Sequence, residues 1–143
     1  MDIVDSETRS RMMSGIRGKN TVPEMMVRRF LHARGYRYRL HRKDLPGKPD
    51  LVLPRLKVCI FVHGCFWHRH PGCAYATTPK TRPEFWKEKF QKNVMRDLAN
   101  LNALENAGWN VLTIWECNLK NDPEALEVLA EKLRVISSDL SMY

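Results

Sequence analysis

Apolar residues recur every three to four positions in two stretches of the chain and run almost unbroken in two others. Phe90, Val94, Leu98, Leu101 and Leu104 share one side of a 3.6-residue repeat, which predicts a long helix with these five as its buried stripe. Thr81-Arg82-Pro83-Glu84 opens that helix with a capping signal and Pro in the first turn, and Gly108 ends it. Leu126, Leu129, Leu133 and Ile136 repeat the pattern in a last helix that starts at Asp122-Pro123-Glu124. Thr21-Val22-Pro23-Glu24 announces an earlier helix that stops at Gly35, and a short helix is predicted over roughly 6–16. The unbroken runs read as strands. Trp109–Trp115 is nearly all apolar, the composition of a strand covered on both faces, with Trp109 and Trp115 in the core. Lys57–His63 is a second strand, with Cys59 inside the run Val58–Val62 and therefore core. Asp50–Leu53 precedes it across a short connection containing Pro54. A further strand is expected around Tyr36–His41, followed by a turn through Leu45–Pro49. Gly64–Lys80 has no period and reads as an ordered loop. The sum is an α/β domain spanning 1–143, with at least one βαβ crossover around the long helix.

Charge adds a partner to this picture. The net charge is +8, and it is concentrated. Residues 9–48 carry twelve Lys and Arg against Glu24 and Asp44, whereas 49–143 carries twelve against eleven acids. A basic block of this kind suits a polyanion, because phosphates neutralised by Lys and Arg release counterions; a merely solvated face is the alternative. No run approaches the roughly 20 apolar residues of a membrane span. The polar N-terminus has no secretory core, so a cytoplasmic protein is expected. In that compartment, four cysteines point to burial or metal rather than to disulfides.

Two motifs carry candidate chemistry. Pro49-Asp50 places a carboxylate at the start of a strand inside the basic half, with polar groups ending the next strand some dozen residues on. Such a layout can hold Mg²⁺ against a phosphodiester, since hard cations take oxygen ligands. Asp after Pro is also ordinary turn chemistry. The second motif, Val62 to Cys73, gathers His63, His68 and His70 with Cys65 and Cys73. Cys65, His70 and Cys73 have spacings that suit tetrahedral zinc, with Cys117 and His68 competing for the fourth place.

Pro46-Gly47-Lys48-Pro49-Asp50, Phe61 to His68, Thr81 to Trp86, Lys92-Asn93, Arg96-Asp97, Gly108-Trp109 and Trp115-Glu116-Cys117 together resemble the very short patch repair endonucleases, over about Thr8–Leu119. The resemblance implies a restriction-endonuclease-like fold, a mixed sheet between helices, with a zinc-pinned loop. It implies Mg²⁺-dependent nicking of double-stranded DNA 5′ to the thymine of a T·G mismatch, of the kind left when 5-methylcytosine deaminates. By motif position, Asp50 would bind the metal beside the main-chain carbonyl of Val62, and Glu24 would add a carboxylate, although a helix cap alone would also explain it. His63 and His68 would bond to water on the metal or to phosphate. His68 is the candidate base, because imidazole titrates near neutrality. Zinc would take Cys65, His70, Cys73 and Cys117, leaving His68 for chemistry. Phe66, Trp67 and Trp86 would form a wedge beside the mismatch, with Met13 and Ile16 of the arm 1–19 in the other groove. Without the resemblance, Trp67 and Trp86 would read as ordinary core aromatics.

The resemblance further implies a monomer, a functional link to a cytosine-5 DNA methyltransferase, contacts with mismatch-repair accessory proteins, and association with the bacterial nucleoid when acting. His63 stands where many nucleases of the wider fold carry an acid or lysine, and Arg69 and Pro71-Gly72 stand where relatives have a denser histidine run. The rival readings are a sequence-specific nuclease on matched duplex and a zinc-stabilised DNA-binding protein without catalysis.

Overall fold

Alternation along three strands divides the interior into two halves. The computed structural model describes residues 21–141, so the helix expected over 6–16 lies outside the described residues. Helix α1 (Val22–Ala33) leads to strands β1 (Arg39–Leu40), β2 (Leu51–Leu53) and β3 (Val58–His63), with a single 3₁₀ turn at Pro54–Leu56 between the last two. A short helix α2 (Cys65–His68) and a long one, α3 (Pro83–Asn106), precede β4 (Asn110–Trp115), and the chain ends in α4 (Glu116–Asn121) and α5 (Ala125–Ser141). The strands form one sheet in the order β1-β2-β3-β4, antiparallel except for the parallel β3–β4 pair. The crossover between that pair contains α3, the expected βαβ unit. The fold is α/β and restriction-endonuclease-like, a mixed sheet flanked by helices.

Leu51, Leu53, Val58, Ile60 and Ile114 point to one face, where Val27 and Leu31 of α1 and Leu129 and Leu133 of α5 cover them. Val52 and Cys59 point to the other face and meet Leu104 of α3. Alternate side chains of a strand must take opposite faces, and burying each Leu, Val or Ile stabilises the fold by about 1.5–3 kcal/mol. Cys59 is fully buried, as its apolar run predicts. No helix among the described residues is long and apolar enough to cross a membrane.

Several local expectations need correction. The strand around Tyr36–His41 shrinks to Arg39–Leu40, both exposed at the sheet edge. The Gly64–Lys80 loop begins with a helical turn, and α4 precedes the last helix. Thr21 caps α1 as expected, its Oγ1 accepting the Glu24 N–H at 3.4 Å. Thr81 does not cap α3; Arg82 stands there in a left-handed conformation. The stripe on α3 is also displaced. Phe90 and Leu104 are buried, but Val94 and Leu98 are 44% and 56% exposed, while Asn93 is buried and Leu101 half-buried. The inner face of α3 is set by what it covers, and over half its length that is a polar site. β4 lies at the edge of the sheet among the described residues, and with Asn110 and Thr113 exposed it is not covered on both faces along its length. Trp109 is half-buried at the sheet end, with the Lys57 ammonium 4.4 Å from its ring centroid. Trp115 is half-buried too, and its partners are His63 and His70 rather than the apolar core.

Candidate active site and metal centre

Asp50 is held by its turn and by its neighbour strand. In the turn before β2, Gly47 has a φ of +76°, and a Cβ there would stand 3.0 Å from Asn100 of α3 and 3.1 Å from the Phe61 ring. Only glycine fits that conformation and that closeness. The His41 N–H donates to the Asp50 carbonyl at 3.2 Å, extending the β1–β2 pairing by one residue. The Val62 N–H donates to Asp50 Oδ2 at 2.7 Å, so the observed contact with Val62 is through its amide N–H.

Glu24 continues the buried stripe of α1 one turn before Val27 and two before Leu31, and is only 2% exposed. Its carboxylate pairs with Arg28 one helical turn on and meets His41 Nε2 at 3.0 and 3.1 Å. Glu24, His41 and Asp50 each offer a ligand atom within 4.8 Å of the others. Burial pushes the Asp50 carboxyl up to about 6, the nearby Glu24 charge adding to the effect and the Val62 N–H opposing it. Buried Glu24 and half-buried Asp50 are two carboxylates with one guanidinium, that of Arg28 on Glu24, so the group is short of positive charge, and oxygen donors of this kind fit a divalent cation.

One residue along β3 from Val62, a second group begins. The His63 and His68 rings stack at 3.8 Å, 3° from parallel. His68, at the end of α2, lies with Nδ1 2.6 Å from Asp97 Oδ2 on α3. Burial lowers the His63 pKa to about 3, with His68 adding and Asp97 opposing. Its Nδ1 is buried without a hydrogen-bond partner among the described residues. The turn that carries His68 is fixed from below, where Asn93 Nδ2 donates to the Trp67 carbonyl at 3.3 Å. Sequence reasoning assigned no role to His41 or Asp97. The signal for Asp97 is its spacing: it follows Phe90 and Asn93 on the inner face of α3. His41 carries no such pattern.

The third group is Cys65, His70, Cys73 and Cys117, whose ligand atoms also lie within 4.8 Å of one another. His70 Nδ1 stands 3.7 Å from Cys65 Sγ and 3.3 Å from Cys117 Sγ. Tetrahedral ligands about 2.0–2.3 Å from zinc are about 3.3–3.8 Å apart, so these residues fit that ion. Cys117 joins Cys65, His70 and Cys73 while His68 joins Asp97, which separates the two residues that spacing left in competition for the fourth place. Trp115 stacks on His70 at 4.2 Å, and Glu116 Oε1 accepts the Cys65 N–H at 3.2 Å. Burial pushes the Cys65 thiol up to about 12, a cost that a bound cation would reverse.

Phe66, Trp67 and Trp86 gather with Phe85 and Phe90 in an edge-to-face cluster. Phe66 lies 4.9 Å from Trp67 and 5.1 Å from Phe90. Trp67 is 5% exposed and serves as backing, while Phe66 and Trp86 are half-buried. Arg69, in a left-handed conformation, bonds to the carbonyls of Phe66, Ala76 and Thr77 and to Thr78 Oγ1, with its guanidinium 3.9 Å from the Phe90 centroid. It is an organiser of the loop. Met13 and Ile16 lie outside the described residues.

A carboxylate pair, an imidazole stack backed by Asp97, and a Cys₃His cluster on a mixed sheet between helices define an endonuclease of restriction-enzyme-like fold. The profile of the family described as DNA mismatch endonuclease Vsr matches residues 1–74. The type II nicking enzyme V.XorIIP of Xanthomonas oryzae pv. oryzae is 48% identical over 126 residues, 88% of this chain and 91% of that protein. The type II nicking enzyme V.NmeAIP of Neisseria meningitidis is 44% identical over 135 residues, 94% of this chain and 96% of its own length. The DNA mismatch endonuclease Vsr of Escherichia coli is 41% identical over 133 residues, covering 92% and 85%. The chain belongs to the Vsr family of DNA endonucleases.

Proposed function

We propose that this endonuclease nicks one strand of duplex DNA 5′ to the thymine of a T·G mismatch, using Mg²⁺ at Asp50 and Glu24 and a structural Zn²⁺ on Cys65, His70, Cys73 and Cys117. The hydrogen bond from the Val62 N–H to Asp50 carries the reading. It brings the carboxylate pair within one residue of the His63–His68–Asp97 group, so a phosphodiester bound at one group is in reach of the other.

Bound between the carboxylates, the cation would supply Lewis acidity at the scissile phosphate and a place for the water. This chain's own residues do the rest. Asp97 holds His68 through Nδ1, which leaves Nε2 to take the proton of the attacking water. His63, kept neutral by burial, packs flat on that ring and fixes its plane. The loop is pinned to β4 and α4 through His70 and Cys117, so the helical turn carrying His68 is anchored at both ends. Phe66 and Trp86, backed by Trp67, form the wedge beside the mismatch, where a weakened base step is cheapest to open. The arm 1–19, basic over Arg9–Arg17 and carrying Met13 and Ile16, supplies further DNA contacts in this single-domain, monomeric enzyme.

The test is a nicking assay on end-labelled duplexes bearing one T·G mismatch in varied flanking sequence, beside matched duplex, EDTA and Asp50→Ala. A single Mg²⁺-dependent nick 5′ to the thymine, lost in the variant, is the expected result. Equal cutting of matched duplex would instead make it a sequence-specific nuclease, and binding without cutting a non-catalytic protein.

A further inference from the structure

The acidic centre contains a nitrogen donor that a pure oxygen site would lack. His41 follows β1, and its backbone has a φ of +49°. That left-handed conformation costs a non-glycine residue free energy, and such strain is retained where the surroundings gain from the side chain's aim. Here the gain is visible. The backbone bond to the Asp50 carbonyl fixes the residue, and a ring nitrogen lies within 4.8 Å of ligand oxygens of both Glu24 and Asp50. Octahedral ligands about 2.1 Å from an ion stand about 3.0 Å apart along an edge. His41 Nε2 lies 3.1 and 3.0 Å from the two Glu24 oxygens, the spacing of such an edge. Arg28 lies 3.4 Å from the same nitrogen and pairs with Glu24, so the two carboxylates and one guanidinium leave a net charge of about −1 for a cation to balance.

We infer that His41 is a third protein ligand of the catalytic cation, and that the centre therefore takes a first-row transition ion such as Mn²⁺ more tightly than Mg²⁺. The inference rests on the metal centre proposed above at Asp50 and Glu24. Mg²⁺ is a hard ion that keeps oxygen and water around it, whereas an imidazole ligand favours transition metals. A simple hydrogen bond from Nε2–H to Glu24 would produce the same distances in the absence of an ion, and it predicts no nitrogen bound to metal. The His63–His68–Asp97 group is the other place where an imidazole could meet a cation, so the experiment must separate the two.

The full-length, zinc-loaded protein is titrated with Mn²⁺ and followed by electron paramagnetic resonance, with Mg²⁺ as competitor and electron spin-echo modulation to detect ¹⁴N coupled to manganese. Four proteins are compared: wild type, His41→Asn, His41→Gln and Asp50→Asn. Asn tolerates the left-handed backbone of position 41, which guards against simple misfolding, and Gln retains a hydrogen bond to Glu24. Wild type is expected to bind one Mn²⁺ with a ¹⁴N signal. Both His41 variants should lose that signal and bind Mn²⁺ roughly tenfold or more weakly, with Mg²⁺ binding weakened by a smaller factor. Manganese bound through Asp50 without coupled nitrogen, or a nitrogen signal that survives in both His41 variants, overturns the role of His41 alone. Manganese binding unchanged in Asp50→Asn overturns the metal centre itself.

Discussion

The His63 imidazole lies flat on that of His68, centroids 3.8 Å apart, while Asp97 holds the edge of His68 at 2.6 Å. One ring is therefore fixed in plane by its stacking partner and in rotation by a carboxylate from a different helix. Three elements converge on it: β3, α2 and α3. Removing the carboxylate without changing its shape tests what the hydrogen bond does. In Asp97→Asn the rate of nicking is expected to fall roughly 10- to 100-fold, with DNA affinity preserved. Single-turnover cleavage beside equilibrium DNA binding measures both; an unchanged rate would remove Asp97 from the machinery.

Asp50 titrates in the opposite sense from an ordinary stabilising carboxylate. Its folded-state value of about 6 lies above the ordinary carboxylate value of 3.8, so the folded chain holds the proton more tightly than the unfolded one. The associated stability is fully present below the unfolded pKa and is lost as pH rises through 6. For chelator-treated protein the loss is on the order of 2–3 kcal/mol. Asp50→Asn should therefore be more stable than wild type at pH 7.5 without metal, and the difference should vanish near pH 4. Urea unfolding across that range checks it.

His63 contributes with the other sign. Its folded-state value is lowered to about 3, so its stabilisation is present above about pH 6.5 and disappears as pH falls toward 3. His63→Phe keeps an aromatic ring against His68 and Trp115 and removes the proton-binding site. The acid limb of the stability profile should flatten in this variant, measured as midpoint temperature between pH 6.5 and 4. An unaltered acid limb would mean that His63 does not govern it.

Cys117 comes from α4, whereas Cys65, His70 and Cys73 come from the loop, so of the four residues it alone joins the cluster from outside the loop. Cys117→Ser is expected to weaken zinc binding by at least roughly tenfold and to expose 69–80 to protease. Zinc content after dialysis and limited proteolysis report on each. Full zinc retention would exclude Cys117 as a ligand.

Arg69 makes four hydrogen bonds that a lysine cannot reproduce, because only the planar guanidinium reaches several acceptors at once. Arg69→Lys keeps the charge, and is expected to cost on the order of 1–3 kcal/mol in unfolding free energy. Zinc stoichiometry should stay unchanged, which separates loop anchoring from metal binding.

Much of this protein was legible in the linear pattern, because local rules act within a few residues. The apolar runs marked β3 and β4, Thr21 marked the start of α1, and Gly47 marked a turn whose left-handed backbone needs glycine. The clustering of His63, Cys65, His68, His70 and Cys73 within eleven residues pointed to a metal site, and the family resemblance chose Cys117 over His68 as the fourth ligand. The inner face of α3 was misread, because period alone cannot tell which side of a weakly amphipathic helix meets the sheet. Tertiary packing turned Asn93 and Asp97 inward and left Val94 and Leu98 outside. Packing also joined His41 to Glu24 across 17 residues and His68 to Asp97 across 29. Contacts between side chains that far apart leave no periodic trace, since their geometry exists only once α1, β1, α2 and α3 have docked. The chain's pattern thus determined which chemistry was present, and the docking of its elements decided which histidine serves which partner.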